Sequence, residues 1–206
     1  MAFWATPLTP GSGDPKRKYR FTVQFDQLSV DNSGIIWFAK SVSKPALTIT
    51  ESEHTFLDKK YYYPGRAEWS TVTLTLVDPA DMSSGSRQDA VQQMNQLIEA
   101  AGYRISKSPT DLASMSKSKS VIALGPVVIN QINAEGVTIE SWKLNNPFIK
   151  DMKFGDLDYT GDELIELSME LRYDWATCTV FNAEGAQVES FFQLQEKSDT
   201  ETTTIV

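Results

Sequence analysis

The chain has 206 residues, 41% hydrophobic and 22% charged, enough for one large domain or two small ones with a sizeable core. A formal net charge of −8 and a pI near 4.7 argue against a protein that grips nucleic acid by neutralising its phosphates. The lone cysteine, Cys178, excludes an internal disulfide and a Cys-rich metal site. The opening MAFWATPLTPGSG lacks the charged and apolar regions of a secretory signal, and no apolar run approaches the ~18 residues of a membrane span.

Residues 1–18, with Pro7, Pro10 and Pro15, read as an irregular N-terminal arm. Tyr19, Phe21, Val23 and Phe25 then alternate with Arg20, Thr22, Gln24 and Asp26, the pattern of a half-buried strand. Asp31-Asn32-Ser33-Gly34 turns the chain into a second strand, 35–42, closed by Pro45, and 47–56 is extended again with Leu47 and Ile49 on one face. KKYYYPGRAEW follows. Successive side chains of a strand point to opposite faces, so Tyr61, Tyr62 and Tyr63 cannot share one core, and both faces of this segment call for a cover. Pro64-Gly65 reads as a turn. Thr71, Thr73 and Thr75 alternate with Val72, Leu74 and Leu76 in a strand ended by Asp78-Pro79.

One helix stands out, about 87–101. Ser86 and Asp89 form a capping-box-like start, Ala90, Val91, Met94, Leu97, Ile98 and Ala101 recur at helical spacing, and Gly102 occupies the C-terminal cap. The serine- and lysine-rich stretch 106–120 reads as a flexible surface loop. Further strands are expected at 121–133, 137–144, 148–154 and 164–175, the last with Leu167, Met169, Leu171 and Tyr173 opposite Glu166, Ser168, Glu170 and Arg172. From Asn182 the pattern lapses. The division is thus an arm (1–18), a β domain (19–181) and a C-terminal extension (182–206), in a mainly β, α+β chain.

Catalytic sets do not assemble. His54 is the only histidine, so a Ser-His-Asp or Cys-His arrangement cannot be completed within one chain, and Cys178 reads as an inert thiol. Asp156, Asp158 and Thr160-Gly161 begin like a calcium loop, but its twelfth position falls on Leu167 rather than a glutamate, so Thr160-Gly161-Asp162 reads as a hairpin turn. Lys16, Arg17 and Lys18 form a basic run that is either solvated or docked on an acidic neighbour. Glu166 and Glu170 lie roughly 13 Å apart along a strand, too far for a glycosidase pair. Neither an enzyme nor a cofactor is expected.

The order of features from Ser43 onward carries a resemblance. Pro45 after a strand, a long extended excursion, Lys59-Lys60 through Gly65, Trp69, a threonine-alternating strand ending in Asp78, the central helix, and ELSMELRYDW at the far end together resemble the tail tube proteins of contractile-tailed bacteriophages. The likeness covers about residues 19–175, is one of pattern more than of a diagnostic motif, and departs in the 106–120 stretch and in some thirty residues beyond the expected end.

The resemblance implies a β-sandwich or barrel with one flanking helix and a long inter-subunit loop. Copies would form hexameric rings stacked into a tube, with the sheath protein outside, the tape measure protein and double-stranded DNA in the lumen, and a baseplate at one end. The setting it implies is a virion tail assembled in a bacterial cytoplasm. On that reading Lys59, Lys60, Tyr61, Tyr62, Tyr63, Pro64, Gly65, Arg66 and Trp69 lie between subunits, and Thr71, Thr73, Thr75, Glu166, Ser168 and Glu170 face the lumen. Kindred roles are a tube-initiating baseplate protein and an injection-system or type VI secretion tube protein. The rival of another class is a monomeric β-sandwich binding module with an aromatic platform at Tyr61–Tyr63, or a tyrosine-rich hairpin folded on its own core.

Overall fold

Alternation of apolar and polar residues becomes two sheets facing one another. The computed structural model describes residues 15–25, 39–78, 90–105, 108 and 114–194. Strands β1 (Phe21–Phe25), β6 (Val127–Ile132), β7 (Thr138–Asn145), β10 (Trp175–Phe181) and β11 (Gln187–Phe191) form a five-stranded sheet in the order β1-β6-β7-β10-β11. Strands β2 (Ala39–Val42), β5 (Val72–Val77), β8 (Phe148–Lys153) and β9 (Glu166–Arg172) form a four-stranded sheet in the order β2-β5-β9-β8. Every described pairing is antiparallel. The inner faces share one core: Val23, Phe25, Val127, Ile129, Leu144 and Ala176 from the first sheet meet Val72, Leu74, Leu76, Leu167, Met169 and Leu171 from the second. Helices α1 (Ala90–Ala100) and α2 (Lys117–Leu124) add Ala90, Met94, Leu97 and Leu124 to it. The fold is mainly β.

Helix α1 follows its periodicity, and its end is a Schellman cap: Gly102, at φ 98°, donates to Glu99 O and Tyr103 N donates to Ile98 O. The proposed Ser86–Asp89 start, the Asp31–Gly34 turn, residues 35–38 and most of the 106–120 stretch lie outside the described residues.

Four expectations need correction. Residues 117–124 are helical, where a loop and then a strand were expected: Ser116 accepts from Lys119 N as N-cap, and Gly125, at φ 65°, ends the helix by donating to Val121 O. The expected strand 164–175 is β9 plus the start of β10, because Tyr173-Asp174 carries the chain from one sheet to the other. The acidic segment between β8 and β9 spans residues 154–165, longer than a tight hairpin turn; within it both Asp158 carboxylate oxygens accept from Thr160, its N–H and its hydroxyl. Residues beyond 182 also contribute: Asn182 Oδ1 accepts from Glu184 N and Ala186 N to form a turn, and β11 pairs with β10.

Two sheet-to-sheet crossings meet at one carboxylate. Asp174 N donates to Asn145 O, its side chain accepts from Asn146 Nδ2 at 2.9 Å, and Lys117 at the start of α2 pairs with it at 2.7 Å. These partners, Lys117 foremost, hold the Asp174 carboxyl below its ordinary range.

The C-terminal hairpin is therefore structural. Phe192 stands edge-on to Trp69, with ring centroids 5.4 Å apart, and β11 covers the outer edge of β10. Truncation after Phe181 is expected to cost about 2 kcal/mol and lower the melting temperature by roughly 5 °C. Thermal unfolding by circular dichroism checks this; an unchanged midpoint contradicts it.

Candidate assembly interface

The third sheet consists of two strands only, β3 (Leu47–Phe56) and β4 (Lys59–Trp69). It continues the β2–β5 ladder outward: Ser43 N donates to Thr73 O, Ser70 N donates to Ala46 O, and Leu47 then pairs with Trp69. Its tip is Leu57-Asp58, with Leu57 at φ 54°. At ~3.4 Å per residue the ribbon is ~34 Å long.

The register sorts the side chains onto two faces. Phe56, His54 and Ser52 lie with Lys59, Tyr61 and Tyr63 on one; Thr55, Glu53, Glu51, Ile49 and Leu47 lie with Lys60, Tyr62, Pro64, Ala67 and Trp69 on the other. Both faces are open. Tyr61, Tyr62 and Tyr63 are 46%, 57% and 56% exposed, and Ile49, Phe56 and Leu57 are more exposed still. These tyrosines are not folded onto the chain's own core. Lys60 pairs with Glu53 at 2.8 Å across the second face, whereas the first carries Lys59 beside three aromatic rings.

Pro64-Gly65 is not a turn. It opens a bulge in which Gly65 and Arg66 oppose Thr50, and Thr50 Oγ1 both accepts from Arg66 N at 2.9 Å and donates to Arg66 O at 3.2 Å. Glycine is required by close approach, since a Cβ on Gly65 would lie 2.4 Å from Thr50 Oγ1 and 2.9 Å from Thr50 O.

The root is packed where the tip is bare. Trp69 is half-buried and its ring lies 6.1 Å from that of Tyr173 and 5.4 Å from that of Phe192. The Tyr173 hydroxyl is buried without a hydrogen-bond partner among the described residues, and burial pushes its pKa up to about 12. Close by in sequence to β3, Lys44 pairs with Glu140 on β7, and Lys16 of the N-terminal arm pairs with the same carboxylate. Trp142 Nε1 donates to it at 2.6 Å. Burial opposes the Glu140 charge, but the two lysines and the indole outweigh it and hold the carboxyl at about 2. The basic run is thus docked in part on its own chain.

The proposed lumen residues occupy one face of the four-stranded sheet, opposite the core. Thr73 pairs with Glu170 and Thr75 with Ser168, Thr71 donates to the Glu170 carboxylate, and Glu166 lies one alternation further along β9. Sequence reading did not find their counter-charges. Glu170 pairs with Lys150 at 2.9 Å from the neighbouring β8, and Glu166 pairs with Lys40, which reaches it from β2 across the intervening β5. Lys153 and Arg172 share this face with Asp151, so it is mixed in charge rather than acidic.

No family model matches the chain, and no curated protein matches it in sequence. Solved structures do match in three dimensions. A chain of the anti-feeding prophage tube-terminating cap aligns over 87% of this chain and 99% of its own at 19% identity and a TM-score of 0.55. A chain of the anti-feeding prophage baseplate covers 81% and 96% at 18% identity and 0.54. A chain of the extracellular contractile injection system PVC sheath-tube complex covers 81% and 92% at 15% and 0.51. The chain has the tail-tube-like β fold common to these components of contractile injection systems. Among the described residues no helix is long and apolar enough to cross a membrane.

Two outcomes test the geometry. Glu140 is depressed from an ordinary 4.5 to about 2, so its stabilisation is complete above about pH 4.5 and drains away as pH falls toward 2. With its lysine partners half-exposed, the contribution is on the order of 2 kcal/mol. Glu140→Gln should therefore lower the melting temperature at pH 7, with the gap to wild type narrowing below about pH 4.5 and nearly gone only around pH 2; a pH-independent gap would contradict this. Gly65→Val should disturb the ribbon while changing protomer stability by under about 1 kcal/mol, since the bulge lies outside the core. Amide chemical shifts confined to residues 47–69 would show it, and a shift spread through β5 and β9 would not fit.

Proposed function

We propose that this chain is the structural subunit of a contractile tail-like tube, self-assembling through its β3–β4 ribbon into stacked rings. The observation that carries this reading is a ~34 Å ribbon with aromatic side chains on both faces and no core of its own. Two open faces need two covers, and neighbouring copies supply them. The edge strands β2 and β8 of the four-stranded sheet join those of adjacent subunits, turning an aggregation hazard into a closed wall. The rings are hexameric, in keeping with the 6-fold symmetry of the similar baseplate, and the polar face of Thr73, Thr75, Ser168 and the Lys–Glu pairs lines the channel.

The tape measure protein and transiting double-stranded DNA occupy that channel, the sheath surrounds the tube and a baseplate closes one end, as in a virion tail assembled in a bacterial cytoplasm. The similar structures come from a baseplate, a sheath–tube complex and a cap, which supports a tube-like role and also accommodates a place at either end. No catalytic residue is part of the proposal.

Each tyrosine, about half exposed in the protomer, has on the order of 100 Å² left to bury on assembly, a gross gain of about 2 kcal/mol at ~25 cal/mol per Å². Replacing Tyr61, Tyr62 and Tyr63 by serine should abolish rods or rings in electron microscopy while leaving soluble protomer with native circular dichroism. If the triple variant still builds rods, the ribbon is not the assembly element. A wild-type chain that stays monomeric at high concentration favours the binding-module rival.

A further inference from the structure

The ribbon has a counterpart at the opposite pole of the molecule. It leaves the four-stranded sheet at the end where Val72 pairs with Leu171, and the 154–165 segment leaves at the other end, where Val77 pairs with Glu166. The two ends are separated by ~17 Å of strand. The segment is apolar and open: Leu157, Tyr159 and Leu164 are nearly or wholly solvent-exposed, and Phe154 and Ile165 are partly so. It is also acidic, with Asp156, Asp158, Asp162 and Glu163 and no basic residue.

Its shape is set locally. Gly155, at φ 80°, packs so closely that a Cβ would lie 2.8 Å from Glu166 O, and Asp158 is locked by Thr160 into an Asx turn that presents Tyr159 outward. An apolar ridge between carboxylates matches in kind the ribbon face on which Lys59 stands beside Phe56, Tyr61 and Tyr63. Among the described residues Lys59 makes no ion pair.

We infer that the 154–165 segment is the docking surface for the Phe56/Lys59/Tyr61/Tyr63 face of the ribbon of a second copy of this chain. The inference rests on the self-assembly reading and adds its direction. Donor and acceptor surfaces differ and lie at opposite poles, so the contact is heterologous and head-to-tail; it does not close on a dimer but propagates along the strand axis. A ribbon of ~34 Å outruns the sheet it grows from, long enough to overlap the copy beyond. Carboxylates facing Lys59 set the orientation, and the aromatic and aliphatic side chains bury the area.

Cysteine pairing and charge exchange test it. In a Cys178→Ala background, copies carrying Tyr61→Cys and copies carrying Tyr159→Cys should form a disulfide-linked dimer when mixed and oxidised, and neither alone should. The chain with both substitutions should give a ladder of covalent multimers. Independently, Lys59→Glu should raise the concentration needed for rod growth roughly tenfold, and adding Asp156→Lys in the same chain should restore it. Rods that grow normally yet yield neither crosslink nor charge rescue overturn this pairing and leave the tube reading standing. Wild-type chain that never assembles overturns both.

Discussion

Three parts of the chain far apart in sequence meet in one aromatic contact, with Trp69 between Tyr173 and Phe192. Trp69 ends the ribbon, Tyr173 follows β9 as the chain leaves the four-stranded sheet, and Phe192 follows β11 at the edge of the five-stranded one. A two-stranded ribbon is marginal in water because it has no third strand and no buried face. It therefore depends on its root. Fixing the ribbon at one end aims it without covering it, which leaves the tip aromatic and available.

Charge follows the same logic of corners and faces. The chain as a whole is acidic, at −8. Several of its carboxylates are nevertheless tied to lysines where separate elements must be held together. Glu140 joins the N-terminal arm and the approach to β3 to the middle of the five-stranded sheet, and Asp174 joins α2 to both crossings between the sheets. On the outer face of the four-stranded sheet, Lys40 and Lys150 offset Glu166 and Glu170. If this face lines the channel, as proposed, its threonines, serine and compensated charges would neither trap a polyanion by counterion release nor strongly repel it.

The fold is recognisable in three dimensions at 15–19% identity, whereas no family model detects the sequence. The physics accounts for the gap. A sandwich of alternating strands constrains which positions are apolar, and many residues satisfy each position. What is specific is confined to geometry such as the Gly65 bulge, the Asn146 crossing at φ 52° and the Gly155 corner, where few residues are tolerated. Fold alone does not carry function; the uncovered ribbon does more to indicate it.

Much was legible in local pattern. Period-two alternation placed β1, β5 and β9 with their buried faces, helical spacing with Gly102 placed α1, and three consecutive tyrosines announced a segment exposed on both sides. These are properties of neighbouring residues, so sequence alone determined them. The errors share one cause. Pro64-Gly65 carries turn chemistry, but its role as a bulge is decided by Thr50 on the opposite strand. KSKSVIAL has weak amphipathicity, and its helix is settled by the Ser116 cap, the Gly125-Pro126 stop and the pairing of Lys117 with Asp174. Residues beyond Asn182 lack a strong pattern because β11 is an edge strand whose lateral partner among the described residues is β10, and Phe192 reaches Trp69. Likewise the lysines that neutralise Glu166 and Glu170 come from strands more than a hundred and about twenty residues away. Local sequence determines which face of a strand is apolar, because that depends on backbone geometry; which strand lies beside it, and what charge that neighbour brings, is decided only when the chain has folded.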